Sequence, residues 1–270
     1  MNVPVKDSRT ALLLGEEGVN KLKKAYVAVF GVGGVGGFAC EALARAGVGR
    51  LLLVDDDTVS ESNLNRQIVA LRSTIGRAKV EVMAERIRDI DPTIVVETRQ
   101  CFFSEETADF FDFSAFSYVI DAIDTVSAKV ELVCRAKAVD TPIVSCMGAG
   151  NKLDPTKFVV TDLAKTDTCP LARVLRQRLR KKGIDHLQVV YSTEPPLTPL
   201  ETIADGGRRQ LPGSVSFVPS SAGLVAAGAV IRALTEEYVK KAPSGAFFAT
   251  KSTFFTAYRL KRPFDTTQGR

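Results

Sequence analysis

Apolar residues come in short unbroken runs, with helical stripes filling the spaces between them. "AYVAVFG" at 25–31 and "RLLLVDDD" at 50–57 are continuous runs closed by glycine or acid, the pattern of strands buried on both faces. "TIVVETRQC" at 93–101, "SYVIDAID" at 117–124 and "PIVSCMG" at 142–148 predict three more. Between them, "GFACEALARAG" at 37–47, a stretch from about Arg77 to Asp89, and "SAKVELVCRAKAVD" at 127–140 carry helical spacing. Pro92 stops the second of these helices, because the residue before proline disfavours the α region. Residues 8–23 predict an N-terminal helical arm, weakened by Gly15 and Gly18. Strands alternating with helices predict an α/β fold: a Rossmann-like, mostly parallel sheet with helices on both faces.

After Gly150 the rhythm changes. "KFVVTDLAK" at 157–165 and "HLQVVYST" at 186–193 predict strands, separated by a helix over Pro170 to Lys182. A loop rich in proline and glycine runs from Pro195 through Gly206 and Gly207 to Pro212. "SSAGLVAAGAVIRALTEEYVKK" at 220–241 then predicts a helix with a serine start. The expected organisation is an arm and core over 1–150, a C-terminal mixed α/β extension of the same domain over 151–242, and a tail over 243–270. That tail carries Phe247, Phe248, Phe254 and Phe255, and its pattern fits a last strand and a free end equally.

Composition narrows the classes. A chain of 270 residues that is 45% hydrophobic can bury a large core. The net charge of +5 leans toward an anionic partner such as nucleotide or RNA. No two of the five cysteines stand in a C-x-x-C pair, so neither a disulfide framework nor a four-cysteine zinc site is expected. The N-terminus lacks the apolar segment of a signal peptide. The small-apolar run Ala222 to Ile231 is shorter than the ~20 residues that span a bilayer. A cytoplasmic protein with no membrane partner is expected.

The chemistry gathers around "VFGVGGVGG" at 29–37, which contains Gly31-x-Gly33-x-x-Gly36. A strand, glycine loop and helix place backbone N–H groups and a helix N-terminus around an anion. Gly31 suits the tight turn, Gly33 and Gly34 the approach of a phosphate, and Gly36 the close packing of helix on strand. A bare turn without ligand also fits the motif alone. Asp55, about twenty residues on, fits a ribose hydroxyl partner; Asp57 joins it as a candidate, while Asp56 reads better as a solvated loop acid. To this point a dehydrogenase fits as well.

"SNLNRQ" at 62–67 separates the readings. Arg66 can fork onto phosphate oxygens, Asn63 can orient a phosphate or ribose, and Lys79 adds a second cation. Hydride transfer leaves its pyrophosphate intact and has little use for such cations, whereas cleavage of a triphosphate must offset charge on the departing group. Asp121 and Asp124 lie at the carboxyl end of a predicted strand, where ligands sit in open α/β sheets, and a carboxylate there can hold Mg2+. Singly, Arg66 and Lys79 also fit surface charges and Asp121 a helix-cap acid.

"GVGGVGG", "LLLVDDDTVSESNLNRQ", "GRAKVE" and "VIDAIDT" together resemble the ATP-binding core of the ubiquitin-activating-type superfamily, which includes MoeB and ThiF. The resemblance implies ATP on the glycine loop and Asp55, with Asn63, Arg66, Gln67 and Lys79 on nucleotide and phosphates and Asp124 beside Mg2+. It implies a homodimer in which an arginine of the N-terminal arm, here Arg9, reaches the neighbour's ATP. Past Gly150, "MGAGNKLDPTKFVVTDLAKTDTCPLARVLRQRLRKKG" and "VVYSTEPP" resemble the tRNA threonylcarbamoyladenosine dehydratase branch. There ATP activates the carboxylate of the threonylcarbamoyl side chain on adenosine 37 of tRNA, and the side chain closes into a ring with net loss of water. The substrate would be tRNA bearing that nucleoside, with docking of a sulfur-relay protein a further expectation. Two alternatives stay open: an adenylyltransferase acting on a small sulfur-carrier protein, and a nucleotide-sensing module without turnover.

Three features are read as bystanders or accessories. Cys169 in "TDTCP" has no histidine neighbour to lower its pKa and reads as a loop residue. His186, the single histidine, is expected at a loop-to-strand edge. The helix "LARVLRQRLRKKG" is expected to turn Arg173, Arg176, Arg178, Arg180, Lys181 and Lys182 mostly outward, as a solvated face or a tRNA phosphate contact.

Overall fold

The computed structural model describes residues 3–201 and 211–239, the last three by backbone alone. The expected tail, and the Gly206–Gly207 part of the expected loop, lie outside the described residues. In chain order the elements are α1 (Ser8–Lys24), β1 (Tyr26–Phe30), α2 (Gly36–Ala46), β2 (Arg50–Val54), α3 (Lys79–Ile90), β3 (Val95–Arg99) and β4 (Tyr118–Asp121). Then follow α4 (Val126–Ala138), β5 (Ile143–Cys146), β6 (Phe158–Asp162), α5 (Pro170–Arg180), β7 (Gln188–Ser192) and α6 (Phe217–Val239).

Seven strands form one sheet in the order β3-β2-β1-β4-β5-β7-β6, parallel except for β6, which runs antiparallel to β7. β1 sits between β2 and β4, with Val29 opposite both Leu53 and Ile120. The chain winds outward from β1 in one direction and then in the other. The carboxyl ends of β1 and β4 therefore flank the topological switch point, where such sheets bind ligands.

Alternation along β1 divides two cores. Val27 and Val29 face Leu22 of α1, Leu43 of α2, Met83 of α3 and Ala226 of α6. Tyr26, Ala28 and Phe30 face Leu132 of α4, Leu175 of α5 and the phenylalanines between β3 and β4. Phe30 stacks on Phe113 at 6.0 Å and meets Phe103 edge-on at 5.0 Å, geometries that add to simple burial.

Three details differ from the sequence expectation. Gly15 takes φ +72, breaking α1 into two helical pieces. α6 begins at Phe217, before the expected serine start, with Pro219 in its first turn, where a missing N–H costs no helical bond. The length argument against a membrane span also fails, since Phe217–Glu236 is long and apolar enough to cross one. Its small residues instead form a packing face: Ala222, Ala226 and Ala227 are buried in the first core. A Cβ on Gly223 would lie 2.1 Å from the Val35 carbonyl oxygen, so α6 rests directly on the start of α2.

Candidate nucleotide site

The three motif glycines meet three separate demands. Gly31 takes φ +89 and donates its N–H to the Val54 carbonyl at 2.7 Å. Gly36 has no room for a side chain, because a Cβ there would fall 1.7 Å from the Gly31 carbonyl oxygen. Gly33 is open: the nearest atom to an added Cβ is Gln67 Nε2, at 3.7 Å. Turn and packing thus explain the outer glycines, while the bare middle one faces space. Gly34 lies between Pro219 of α6 and the stem of Arg66.

That space is a cleft of about 450 Å³ whose walls include Gly33, Asp55, Arg66, Lys79 and Asp124. Asp55 leaves the end of β2 and accepts the Val32 N–H at 2.6 Å and the Asp57 N–H at 2.9 Å. Burial pushes its carboxyl above the ordinary range, against the opposing pull of the Val32 N–H and Lys79. Lys79, the first residue of α3, is buried and donates to exposed Asp57 at 2.5 Å. Arg66 donates to the Ser62 carbonyl and to Asn65 Oδ1, each at 2.9 Å. Asn63 is buried with its Oδ1 accepting the Ser60 N–H. Asp124 stands exposed on the cleft wall, its carboxylate accepting a long hydrogen bond, 3.3 Å, from the Thr125 hydroxyl.

Gln67 is the most telling member. Its side chain is 8% exposed, lines the cleft, and carries an Oε1 with no hydrogen-bond partner. Buried polar atoms are nearly always paired, so an orphan acceptor on a residue that lines the cleft fits a ligand hydroxyl or amine. With the open glycine and two cations beside it, the donor set fits a nucleoside polyphosphate.

The structure separates Asp121 from this group. Asp121 is 0% exposed, ion-paired to Lys129 at 2.9 Å and hydrogen-bonded to Ser145. Its other oxygen accepts the Ile123 N–H. It is neither a ligand residue in the cleft nor a helix cap; it is half of an internal ion pair, and the nucleotide role expected for it is withdrawn. The sequence signal that was missed is Lys129, which falls on the buried face of α4 with Ala128, Leu132 and Ala136. Arg9 is exposed on α1 and does not line the cleft of its own chain.

The accessory features resolve as follows. Arg176 does not point outward; its guanidinium donates to the carbonyls of Leu163 and Thr166 and to the Thr166 hydroxyl. Cys169 is buried at the start of α5, outside the cleft. Cys101, which sequence reasoning passed over, does line the cleft, and burial pushes its thiol upward, away from the reactive thiolate. His186 is exposed just before β7, 3.2 Å from Asp162, the edge position expected.

A doubly wound sheet with an open glycine loop at a helix N-terminus, an acid after β2 and two cations on the same cleft defines a nucleotide-binding protein of the ATP-cleaving kind. The ThiF family model matches residues 7–268, and the chain belongs to the ThiF family. It is 46% identical to the tRNA threonylcarbamoyladenosine dehydratase of Bacillus subtilis, over 85% of this chain and 94% of that protein. The Escherichia coli enzyme TcdA, solved in complex with ATP, superimposes with a TM-score of 0.79 at 38% identity, covering 87% of this chain and 96% of that one. The molybdopterin-synthase adenylyltransferase of Salmonella typhimurium is 35% identical over 54% of this chain and 57% of its own.

Proposed function

We propose that this chain is an ATP-dependent tRNA threonylcarbamoyladenosine dehydratase. The observation that carries the reading is the extent of the likeness. The dehydratase match runs over 85% of the chain, the adenylyltransferase match over 54%. The cleft itself continues past the shared core into Gly150, Pro212 and Ser214.

The chemistry follows from the groups present. A carboxylate is a poor electrophile until it is joined to a good leaving group. The threonylcarbamoyl carboxylate attacks the α-phosphorus of ATP, forming a C–O–P linkage as the bond to pyrophosphate breaks. A nucleophile within the same side chain then attacks the activated carbonyl, closes the ring and releases AMP. Most of the protein's task is positioning and charge stabilisation. The Gly33–Gly34 backbone cradles phosphate, Asp55 and Gln67 take the ribose, and Arg66 and Lys79 offset charge building on pyrophosphate. Asn63 holds the loop that presents Arg66. Asp124, carrying exposed carboxylate oxygens, would hold Mg2+, which supplies further neutralisation of the phosphates when bound.

The reading places the enzyme in the cytoplasm as a homodimer, with Arg9 reaching the partner's cleft and a sulfur-relay protein as a docking partner. Arg9 is exposed and has no bonded partner among the described residues, which supports that role. The test is direct. The protein is incubated with ATP, Mg2+ and tRNA bearing threonylcarbamoyladenosine, and the digested nucleosides are weighed. A product lighter by one water is expected. An unchanged nucleoside despite ATP binding refutes the reading, and pyrophosphate exchange that requires a small carrier protein favours the adenylyltransferase instead. As a control, Arg66→Ala keeps its fold and loses about 2.7–4 kcal/mol of barrier lowering; near-normal turnover removes Arg66 from the mechanism.

A further inference from the structure

Asn65 sits between two parts of the cleft without lining it. Its Oδ1 accepts from the Arg66 guanidinium at 2.9 Å, and its Nδ2 donates to the Ser214 carbonyl at 3.0 Å. Ser214 belongs to the short segment Leu211–Val215, whose Leu211, Pro212 and Ser214 form the wall of the cleft beyond the phosphate loop. One carboxamide therefore grips both the phosphate-side arginine and the opposite wall.

That wall is anchored from a second side. Asn151 Oδ1 accepts the Gly213 N–H at 2.6 Å, and the Asn151 N–H donates to the Gly213 carbonyl at 2.7 Å. Asn151 adopts φ +58 to do so, a conformation that asparagine tolerates better than most residues. Beside it, a Cβ on Gly150 would come within 2.7 Å of Pro212, so the segment lies flat on the backbone after β5. The wall is thus pinned by two asparagines, and only the Asn65 pin also touches a phosphate-binding group.

We propose that Asn65 is a positioning residue for the acceptor substrate: it fixes the Leu211–Val215 wall in register with Arg66, so that the tRNA carboxylate is presented to the reacting phosphorus. This rests on the functional reading above. It assigns the half of the cleft bounded by Gly150 and Leu211–Val215 to the modified nucleoside, leaving the glycine-loop half to ATP.

The two faces of the carboxamide can be separated. Asn65→Asp keeps an acceptor for Arg66, with an added charge, and places an acceptor against the Ser214 carbonyl, breaking the wall contact. It is expected to raise KM for the modified tRNA about tenfold, as loss of one hydrogen bond with its register implies. ATP affinity and kcat at saturating tRNA change by less than KM, because the added charge only pairs with Arg66 whereas the wall contact is lost outright. Asn65→Ala loses both contacts and lowers kcat as well. Asn151→Gly keeps the positive φ and the backbone bond to Gly213, removes the side-chain half of the second pin and raises KM for tRNA, while Asn151→Asp retains the acceptor and restores it. A parent-like KM for tRNA in Asn65→Asp overturns the proposal, as does a fall in ATP affinity matching the rise in KM. A parent protein that makes no lighter nucleoside fails the functional reading itself; an active parent with parent-like variants fails this inference alone.

Discussion

Gly33→Ala and Gly36→Ala are chemically the same change, three residues apart, and the structure assigns them opposite consequences. At Gly36 the new methyl would lie 1.7 Å from the Gly31 carbonyl oxygen, backbone against backbone. No flexible group can yield, so the loop or α2 must shift, at a cost of at least about 3 kcal/mol. For a domain of this size that lowers Tm by about 6 °C or more. At Gly33 no atom lies nearer than 3.7 Å, and the residue is not among those with positive φ. Alanine is compatible there and stabilises by about 0.4–1 kcal/mol through the unfolded chain. The methyl nevertheless occupies the approach of the phosphate to the backbone. Losing one hydrogen bond to a charged phosphate oxygen costs about 1.5–3 kcal/mol, which is roughly 10- to 150-fold in Kd. Calorimetric titration with ATP and a thermal melt of both variants read the two effects. Gly33→Ala is expected to melt at or above the parent and bind ATP weakly. An ATP affinity within about twofold of the parent would show that no phosphate rests on Gly33, and the assignment of the cleft would fall with it.

Lys129→Met leaves Asp121 buried without its cation and is expected to lose about 3–5 kcal/mol in urea unfolding; a loss below about 1 kcal/mol would mean Ser145 alone satisfies the acid. On α5, neutralising exposed Arg178, Lys181 and Lys182 together should weaken tRNA binding and make its salt dependence shallower by about 2–3 in log–log slope. Arg176→Ala, which removes an internal brace, should instead lower Tm, and an unaltered salt slope in the triple variant discards the tRNA contact. Burial works against the charged form of Asp91, but hydrogen bonds from Lys6 and Thr93 outweigh it and hold the carboxyl below its usual range. The stability this contributes is present above the unfolded value of about 3.9 and is lost as pH falls through the lower folded one. Lys6→Met should therefore cost stability at neutral pH, with the deficit shrinking in acid; a pH-independent deficit would refute the linkage.

Much of the fold was legible because strand runs, glycine stops and proline breaks are local signals. β1, β2, β4 and β5 are mostly apolar, and each lies wholly inside the run that predicted it. That the acids and cations after β2 gather at one cleft with the glycine loop was legible too, from their order relative to that loop. What local reading missed was set by long-range packing. Asp121 and Asp124 sit three residues apart with similar neighbours, yet one is turned into the protein toward Lys129 and the other outward to the cleft. Nothing within "VIDAID" distinguishes them; the difference lies eight residues on, in α4. Arg176 resembles its basic neighbours until the carbonyls of Leu163 and Thr166 are brought beneath it. Asn65 reads as one more amide in "SNLNRQ" until a segment from residues 211–215 comes to rest against it.

The seat of α6 on α2 bears on how the chain comes to function during its synthesis. Gly223 lies against the Val35 carbonyl, Pro219 against Gly34, and Thr235 near Gly18 of α1, so one late helix steadies both the glycine loop and the arm before β1. The loop leaves the ribosome long before α6 is made. Until α6 arrives, one side of the loop has no support and the apolar flank of α2 is uncovered. ATP competence then waits for α6, and a fragment ending at Gly150 would contain every residue proposed to contact nucleotide while lacking the helix that seats the glycine loop. An incomplete chain would consume no ATP and would present an apolar face to the cell's quality control.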